Sequence, residues 1–278
     1  MSVLVPFTKM AGAGNDFLIT DAVHHRTLGS LKAAWPRVAR AMCDRRYGVG
    51  ADGLLVLERS RVADVRMRIF NPDGSEAEMC GNGARCVASY VKRRGTATLE
   101  TRAGVVTAAV QGDRVAMQMP DPRDLRLDLS LHVNGSIRSL SSVDTGVPHV
   151  VAVVTHLDQI DVDTLGRQIR FNQAFQPRGT NVNFVEANPK NSHRLRVRTY
   201  ERGVEAETLA CGTGAVAAAV IHALRTEVRK CQTRIETKSG ETLTVSLTIA
   251  GPSRARTVTD VVLEGGVRWI CEGDFRWR

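Results

Sequence analysis

Aromatic side chains are scarce in this chain. They make up 5% of 278 residues, although the formal net charge is +9. A nucleic-acid surface needs stacking platforms and clustered cations, and here the Lys and Arg residues are dispersed. The excess charge therefore reads as solvated surface, with a positive field that would draw in a small anionic substrate. No nucleic-acid partner is expected. There is no uninterrupted apolar run of about eighteen residues to span a bilayer. The N-terminal MSVLVPFTKM has no basic start, sustained apolar core or small-residue cleavage site, so a cytoplasmic, membrane-free protein is expected. The six cysteines (43, 80, 86, 211, 231, 271) show no CxxC pairing. That excludes a zinc ribbon and a dense disulfide framework, and no metal is expected. A cofactor loop is also missing. The one near-match to G-x-G-x-x-G, GAGNDF (12–17), lacks its last glycine and follows no dinucleotide pattern, so no cofactor is expected.

What is present is a doubling. CGNGA (80–84) and CGTGA (211–215) are near copies. Each follows an acidic run that starts at an aromatic residue, FNPDGSEAEM (70–79) and YERGVEAETLA (200–210), and each precedes an Ala/Val-rich stretch. Further on, LETRAG (99–104) is echoed by IETKSG (235–240). The chain reads as a duplicated domain with one cysteine at the same place in each copy. At 43% hydrophobic and 24% charged residues it has the composition of a soluble globular protein, and its length suits two domains with separate cores.

Short apolar or alternating runs predict strands at 17–20, 54–57, 65–70, 105–110 and 115–119. Ala84, Val87, Ala88 and Val91 at helical spacing predict a helix over 83–93 stopped by Gly95. The Pro/Asp cluster at 120–124 reads as a boundary. The scheme then repeats, with strands at 149–154, 182–185, 195–200, 234–237, 242–249 and 257–263, and a helix over 213–226. Shorter helices are expected over Asp163–Ile169 and from Pro36 to about Asp44. The segment 267–275 follows the second copy and is read as an extra strand of the first domain. The expected fold class is α+β, with two pseudo-symmetric domains, each a mostly antiparallel sheet or barrel-like β layer wrapped on a central helix. The expected boundaries are 1–121 plus 266–278, and 122–265.

A cysteine just before a helix, followed by Gly-X-Gly, sits among backbone N–H groups that have no intrahelical partner and that favour negative charge. The glycines let a substrate carboxylate approach those amides closely. Two such cysteines match one reaction in particular. Inverting an sp³ carbon requires a proton to leave one face and another to arrive on the opposite face, so a thiolate and a thiol form a natural pair. A cysteine nucleophile would need a histidine instead, and would gain nothing from duplication.

The motif set as a whole, KMAGAGNDF (9–17), GVGADG (48–53), FNPDGSEAEMCGNGARC (70–86), GVPH (146–149), GTNVNFVE (179–186) and YERGVEAETLACGTGA (200–215), resembles the cofactor-independent diaminopimelate epimerases over nearly the whole length. The resemblance implies interconversion of LL- and meso-2,6-diaminopimelate, a step toward lysine and peptidoglycan precursors, by a homodimer. It implies Cys80 and Cys211 as the acid/base pair and His149 and Glu201 as neighbours that adjust thiol protonation. It assigns substrate contacts to Asn15, Asn71, Asn181, Glu201 and Arg202, with Gly81, Asn82, Gly212 and Thr213 at the helix starts. A substrate with two carboxylates and two ammonium groups calls for such a mixture of amides and charges. The chain departs from the pattern at Gly53, where some members have glutamine, at Val147, where some have asparagine, and at Met10-Ala11, where Met-His is commoner.

Two rival readings stand beside it. Proline racemases and hydroxyproline epimerases share the two-thiol logic, but place a histidine after the first Cys-Gly, where Asn82 stands here, and an Asp-Arg-Ser-Pro lead before the second cysteine. A basic RNA-binding protein with two inert cysteines is a reading from a different class. Cys43, Cys86, Cys231 and Cys271 read as small packing residues, and Asn15 and Asn71 also fit ordinary turns.

Overall fold

The glycine-rich run at 12–17 is a hairpin. In the computed structural model, which describes residues 2–133, 136–252 and 256–278, strands β1 (Val3–Gly12) and β2 (Asn15–Asp21) pair antiparallel with Gly12 opposite Asn15. Ala13 and Gly14 between them have φ of 53° and 89°. Positive φ at both positions gives the tight two-residue turn whose twist matches that of its strands.

The chain divides into two compact units, Met1–Met117 with Gly265–Arg278, and Gln118–Glu264. In the first, the C-terminal strand (Arg268–Trp277) pairs antiparallel with β1. On the other side of β1 and β2 follow β3 (Gly53–Glu58), parallel to β2, and β4 (Val65–Phe70), antiparallel to β3. The two-residue β5 (Glu76–Ala77) folds back on β4. Then come β6 (Arg94–Thr101), parallel to β4, and the antiparallel β7 (Gly104–Gln111) and β8 (Arg114–Gln118).

The second unit repeats this order. Its strands are β9 (Arg123–Val133), β10 (Ser136–Asp144), β11 (Pro148–Val153), β12 (Asn181–Asn188), β13 (Asn191–Glu201), the short β14 (Ala206–Thr208), β15 (Lys230–Thr237), β16 (Thr242–Ala250) and β17 (Thr257–Gly266). Pairing runs β9–β10–β11–β12–β13–β15–β16–β17, parallel only at β11–β12 and β13–β15. Every pairing has the sense of its counterpart in the first unit. One connection differs: the outermost strand comes from the chain's C-terminus in the first unit and from the segment directly before β10 in the second.

Parallel neighbours cannot be joined by a tight turn and need a crossover. Four helices supply the four crossovers: α1 (Trp35–Cys43) between β2 and β3, α2 (Gly81–Val91) between β5 and β6, α3 (Val162–Arg170) between β11 and β12, and α4 (Gly212–Thr226) between β14 and β15. The alternation of side chains along the central strands decides which helix each one meets. In β3, Leu54 and Val56 join Phe70 in a buried cluster with Trp35, Val38 and Met42 of α1. Leu55 points the other way, to Gly83 of α2. In β12, Val182 and Phe184 join Tyr200 in a cluster with Val162 and Ile169 of α3, while Asn183 reaches Gly214 of α4. Helix α4 is buried at nearly every position from Gly214 to Leu224 and touches six strands, β10 to β13, β15 and β16. Its run of alanines and valines, apolar all round, suits a helix enclosed by a curved β layer.

Helix α2 differs from the expected 83–93. It starts at Gly81 and ends at Val91, because Lys92 is already extended (φ −137°, ψ 134°) and Arg94 pairs with Gln111. Gly95 lies inside β6 with φ 101° and does not cap the helix. Strands β9 and β10 run on from the boundary read at 120–124, in a stretch where no strand was expected. Most of β9 is exposed, although Leu125, Leu127, Leu129, Leu131 and Val133 alternate with polar residues along it.

Candidate active site

Cys80 and Cys211 are the N-cap residues of α2 and α4. Both have extended dihedrals (φ −140°, ψ 115° and φ −121°, ψ 112°) and both are half-buried. Each carbonyl accepts the first bond of its helix, from Ala84 N–H at 2.8 Å and from Ala215 N–H at 2.9 Å. Cys211 Sγ accepts a hydrogen bond from Gly214 N–H at 3.4 Å and lies 3.5 Å from Thr213 Oγ1, so the sulfur caps its helix. Negative charge on it would be favoured by the helix N-terminus, worth about 0.3–1 kcal/mol. Apart from its chain neighbours and its own helix, no described residue comes within 4 Å of where a Gly81 Cβ would be, which leaves the start of α2 open to a close approach. Of the other cysteines, Cys43, Cys86 and Cys231 are buried, but Cys271 is exposed on the C-terminal strand and does not serve as a packing residue. Burial pushes the Cys43 thiol up to about 12, which keeps it protonated.

In the first unit a chain of hydrogen bonds holds the start of α2 to the β1–β2 hairpin. Arg85, fully buried, donates to Asn82 Oδ1 (2.7 Å), Asn82 Nδ2 donates to Asn15 Oδ1 (2.7 Å), and Asn15 Nδ2 donates to Asp52 Oδ2 (2.9 Å). Arg45 then bridges Asp52 and Asp16 at 2.7 Å each, and Lys9 pairs with Asp16 at 3.0 Å. Burial raises the Asp16 carboxyl, but Arg45 and Lys9 outweigh it and hold it below the usual carboxylate range. Asn15 and Asn82 thus meet beside Cys80. Asn71 does not join them: its amide donates to Ser75 Oγ at 2.9 Å inside an exposed turn. Gly53 is buried, and a Cβ there would lie 3.2 Å from the Phe70 carbonyl and 3.4 Å from the Phe17 ring. A glutamine would fit only if Phe17 moved.

In the second unit, Asn181 Oδ1 accepts from Arg202 N–H at 2.8 Å and its Nδ2 donates to the Pro148 carbonyl at 3.2 Å, tying the end of β13 to the turn before His149. Arg202 donates to the Arg178 carbonyl at 3.0 Å. Burial raises the Glu201 carboxyl above the ordinary range, opposed by the Thr208 hydroxyl. Thr145 Oγ1 donates to the Thr213 carbonyl at 3.1 Å, fastening the first turn of α4 to the loop before GVPH. His149 is fully buried, and burial first, then the positive Arg202, lowers it from 6.5 to about 3. It is therefore a neutral imidazole. Its Nδ1 lies 3.1 Å from Asn183 Nδ2.

Strand register aligns the two units residue by residue. Phe17 opposite Gly53 corresponds to His149 opposite Asn181, and Leu55 opposite Ile69 corresponds to Asn183 opposite Thr199. The first lobe is apolar where the second carries His, Asn and Thr. Asp52, Arg85, Asn183 and Thr199 were not singled out by sequence reasoning. Asp52, Arg85 and Asn183 nevertheless lie inside the motif blocks GVGADG, FNPDGSEAEMCGNGARC and GTNVNFVE.

The duplicated α+β architecture is a fold that amino-acid epimerases and related isomerases share. Solved structures agree on the fold. A hydroxyproline epimerase from Agrobacterium vitis superposes with a TM-score of 0.69 at 17% identity, over 98% of this chain and 91% of that one. A phenazine biosynthesis protein from Bacillus anthracis does so with a TM-score of 0.73 at 17% identity, over 98% and 99%. Sequence narrows the class. The diaminopimelate epimerase family model matches residues 7–124 and 141–263. The diaminopimelate epimerases of Aquifex aeolicus and Chlorobaculum tepidum are 40% and 41% identical, over 96% and 95% of this chain and 96% and 98% of their own lengths. The chain belongs to the diaminopimelate epimerase family.

Proposed function

We propose that this chain inverts one α-carbon of 2,6-diaminopimelate, interconverting the LL and meso forms, in the supply of lysine and of peptidoglycan precursors. The observation that carries the reading is the pair of cysteines capping equivalent helices in two lobes of identical strand order. One of them, as thiolate, takes the α-proton. The other, as thiol, returns a proton to the opposite face, so Cys80 and Cys211 exchange roles with the direction of reaction. Charge that accumulates on the α-carboxylate as the carbon loses its proton is stabilised by the unpaired amides of Gly81 and Asn82 and of Gly212 and Thr213. No cofactor is required, because the helix starts take the place of an electron sink. Asn15 and Asn181 contribute amides, Asn71 only if its amide leaves Ser75, and Glu201 and Arg202 the charges that a substrate with two ammonium and two carboxylate groups needs. His149 and Glu201 adjust the protonation of the thiols.

Family resemblance further supports a cytoplasmic homodimer acting on a small molecule, with no nucleic-acid or membrane partner. No helix among the described residues is long and apolar enough to cross a membrane. The test is incubation of purified protein with LL-diaminopimelate in deuterium oxide without added pyridoxal phosphate. Deuterium should enter the α-position as the meso isomer forms. Exchange with proline or hydroxyproline, and none with diaminopimelate, would move the assignment to the racemases that share the fold.

A further inference from the structure

One chemical difference between the two lobes is a buried polar trio, His149, Asn183 and Thr199, at positions filled in the first lobe by Phe17, Leu55 and Ile69. All three are 3% exposed or less. Asn183 Nδ2 donates to the Val150 carbonyl at 2.9 Å, and Thr199 Oγ1 donates to Asn183 Oδ1 at 3.0 Å. A carbonyl only accepts, so the orientation of this amide is forced. The second N–H of the amide then faces His149 Nδ1, 3.1 Å away. Nδ1 must present its lone pair, and a neutral imidazole with Nδ1 unprotonated carries its proton on Nε2. That Nε2 is buried and has no hydrogen-bond partner among the described residues. An unpaired buried donor is unfavourable unless something completes it.

We propose that Asn183 is a positioning residue that locks His149 as the Nε2–H tautomer, making Nε2 a fixed hydrogen-bond donor to a carboxylate oxygen of the substrate. This rests on the epimerase reading above. His149 then donates to substrate without itself transferring a proton, and the lobe of Cys211 differs in function from the lobe of Cys80. The positive charge of Arg202 opposes protonation of His149 as burial does. Asn183 also sets the seat of α4, since its Oδ1 occupies the space that a Gly214 Cβ would need.

The experiment is nitrogen NMR of protein labelled with 15N-histidine, the His149 signals being identified by their loss in His149→Gln. The wild type should show Nε2 protonated, Nδ1 unprotonated and no titration between about pH 5 and pH 8. Asn183→Asp keeps an acceptor for Thr199 but turns an acceptor toward Nδ1. The tautomer should reverse, His149 should begin to titrate, and kcat/KM should fall about a hundredfold as the donor is lost. In a His149→Gln background, which has no tautomer to set, the same change should cost far less. A wild-type Nδ1–H tautomer, a wild-type His149 that titrates in this range, or an Asn183→Asp protein with unaltered His149 signals would overturn the proposal. If Asn183→Asp does not fold, the wild-type spectrum decides alone. Failure of the epimerase reading is seen separately, as absence of deuterium exchange in a wild type whose spectrum shows the locked tautomer.

Discussion

Arg198 grips Glu207 through two parallel hydrogen bonds, Nε to Oε1 at 2.6 Å and Nη2 to Oε2 at 2.9 Å. The first lobe has the same fork at the corresponding place, Arg68 to Glu76 at 2.8 and 2.9 Å. In each lobe the fork binds a central strand to the short strand that leads into the cysteine. It therefore sets the approach of the chain to the helix start that the cysteine caps.

Removing Arg198 takes two hydrogen bonds from the nearly buried Glu207 carboxylate and leaves Lys238 as its cation. Arg198→Ala is expected to destabilise the protein by about 1–3 kcal/mol, read as a lower urea midpoint at unchanged slope. Burial alone would raise the Glu207 carboxyl, but Arg198 and Lys238 hold it below the ordinary range. The stability it contributes is present above that range and lost as pH falls through its lowered value. In Glu207→Gln that part of the acid sensitivity should vanish.

Cys80→Ala and Cys211→Ala are each expected to lower net inversion by a factor on the order of a thousand or more, with the fold intact by circular dichroism. A variant of either cysteine that still interconverts the isomers at a rate near wild type would refute the two-thiol mechanism.

His149 makes the protein acid-sensitive in a definite window. Its folded value of about 3 lies below the ordinary 6.5, so between those values the unfolded chain binds a proton that the folded chain refuses. Stability should fall by about 1.4 kcal/mol per pH unit on acidification through that window, and this contribution should be complete above it. His149→Gln should flatten the slope, measured as the urea midpoint against pH.

Gly214 and Gly83 occupy equivalent places in α4 and α2 but face different neighbours. A Cβ at Gly214 collides with Asn183 Oδ1, held by its hydrogen bonds, whereas at Gly83 it would meet the Leu55 methyls at 3.3 Å. Gly214→Ala is expected to cost about 1–3 kcal/mol and to impair activity, and Gly83→Ala less, because leucine can shift rotamer. Thermal midpoints of the two variants test the difference. Equal losses would mean that the Asn183 clamp yields.

The duplication, both helices that bear the cysteines and most central strands are legible in the sequence, because these elements are apolar and local. Leu54 to Leu57 and Ala215 to Leu224 declare their burial wherever they stand. Gly95 misled as a helix stop because strand pairing between Arg94 and Gln111 overrides the helical periodicity before it. Strand β9 was legible, since Leu125, Leu127, Leu129, Leu131 and Val133 alternate with polar residues, but the Pro/Asp cluster at 120–124 drew the reading of a boundary instead.

The sequence by itself determined the duplication, the two thiols at two helix starts and the motif blocks that carry the family resemblance. Only the tertiary structure decided how the two lobes differ. Asn183 reads locally as one more polar residue of a strand, and its meaning depends on His149 and Thr199, 34 and 16 residues away in the chain. Strand register, set by the packing of whole sheets, brings those three together. A hydrogen bond between distant residues leaves no periodicity in a sequence from which it could be read.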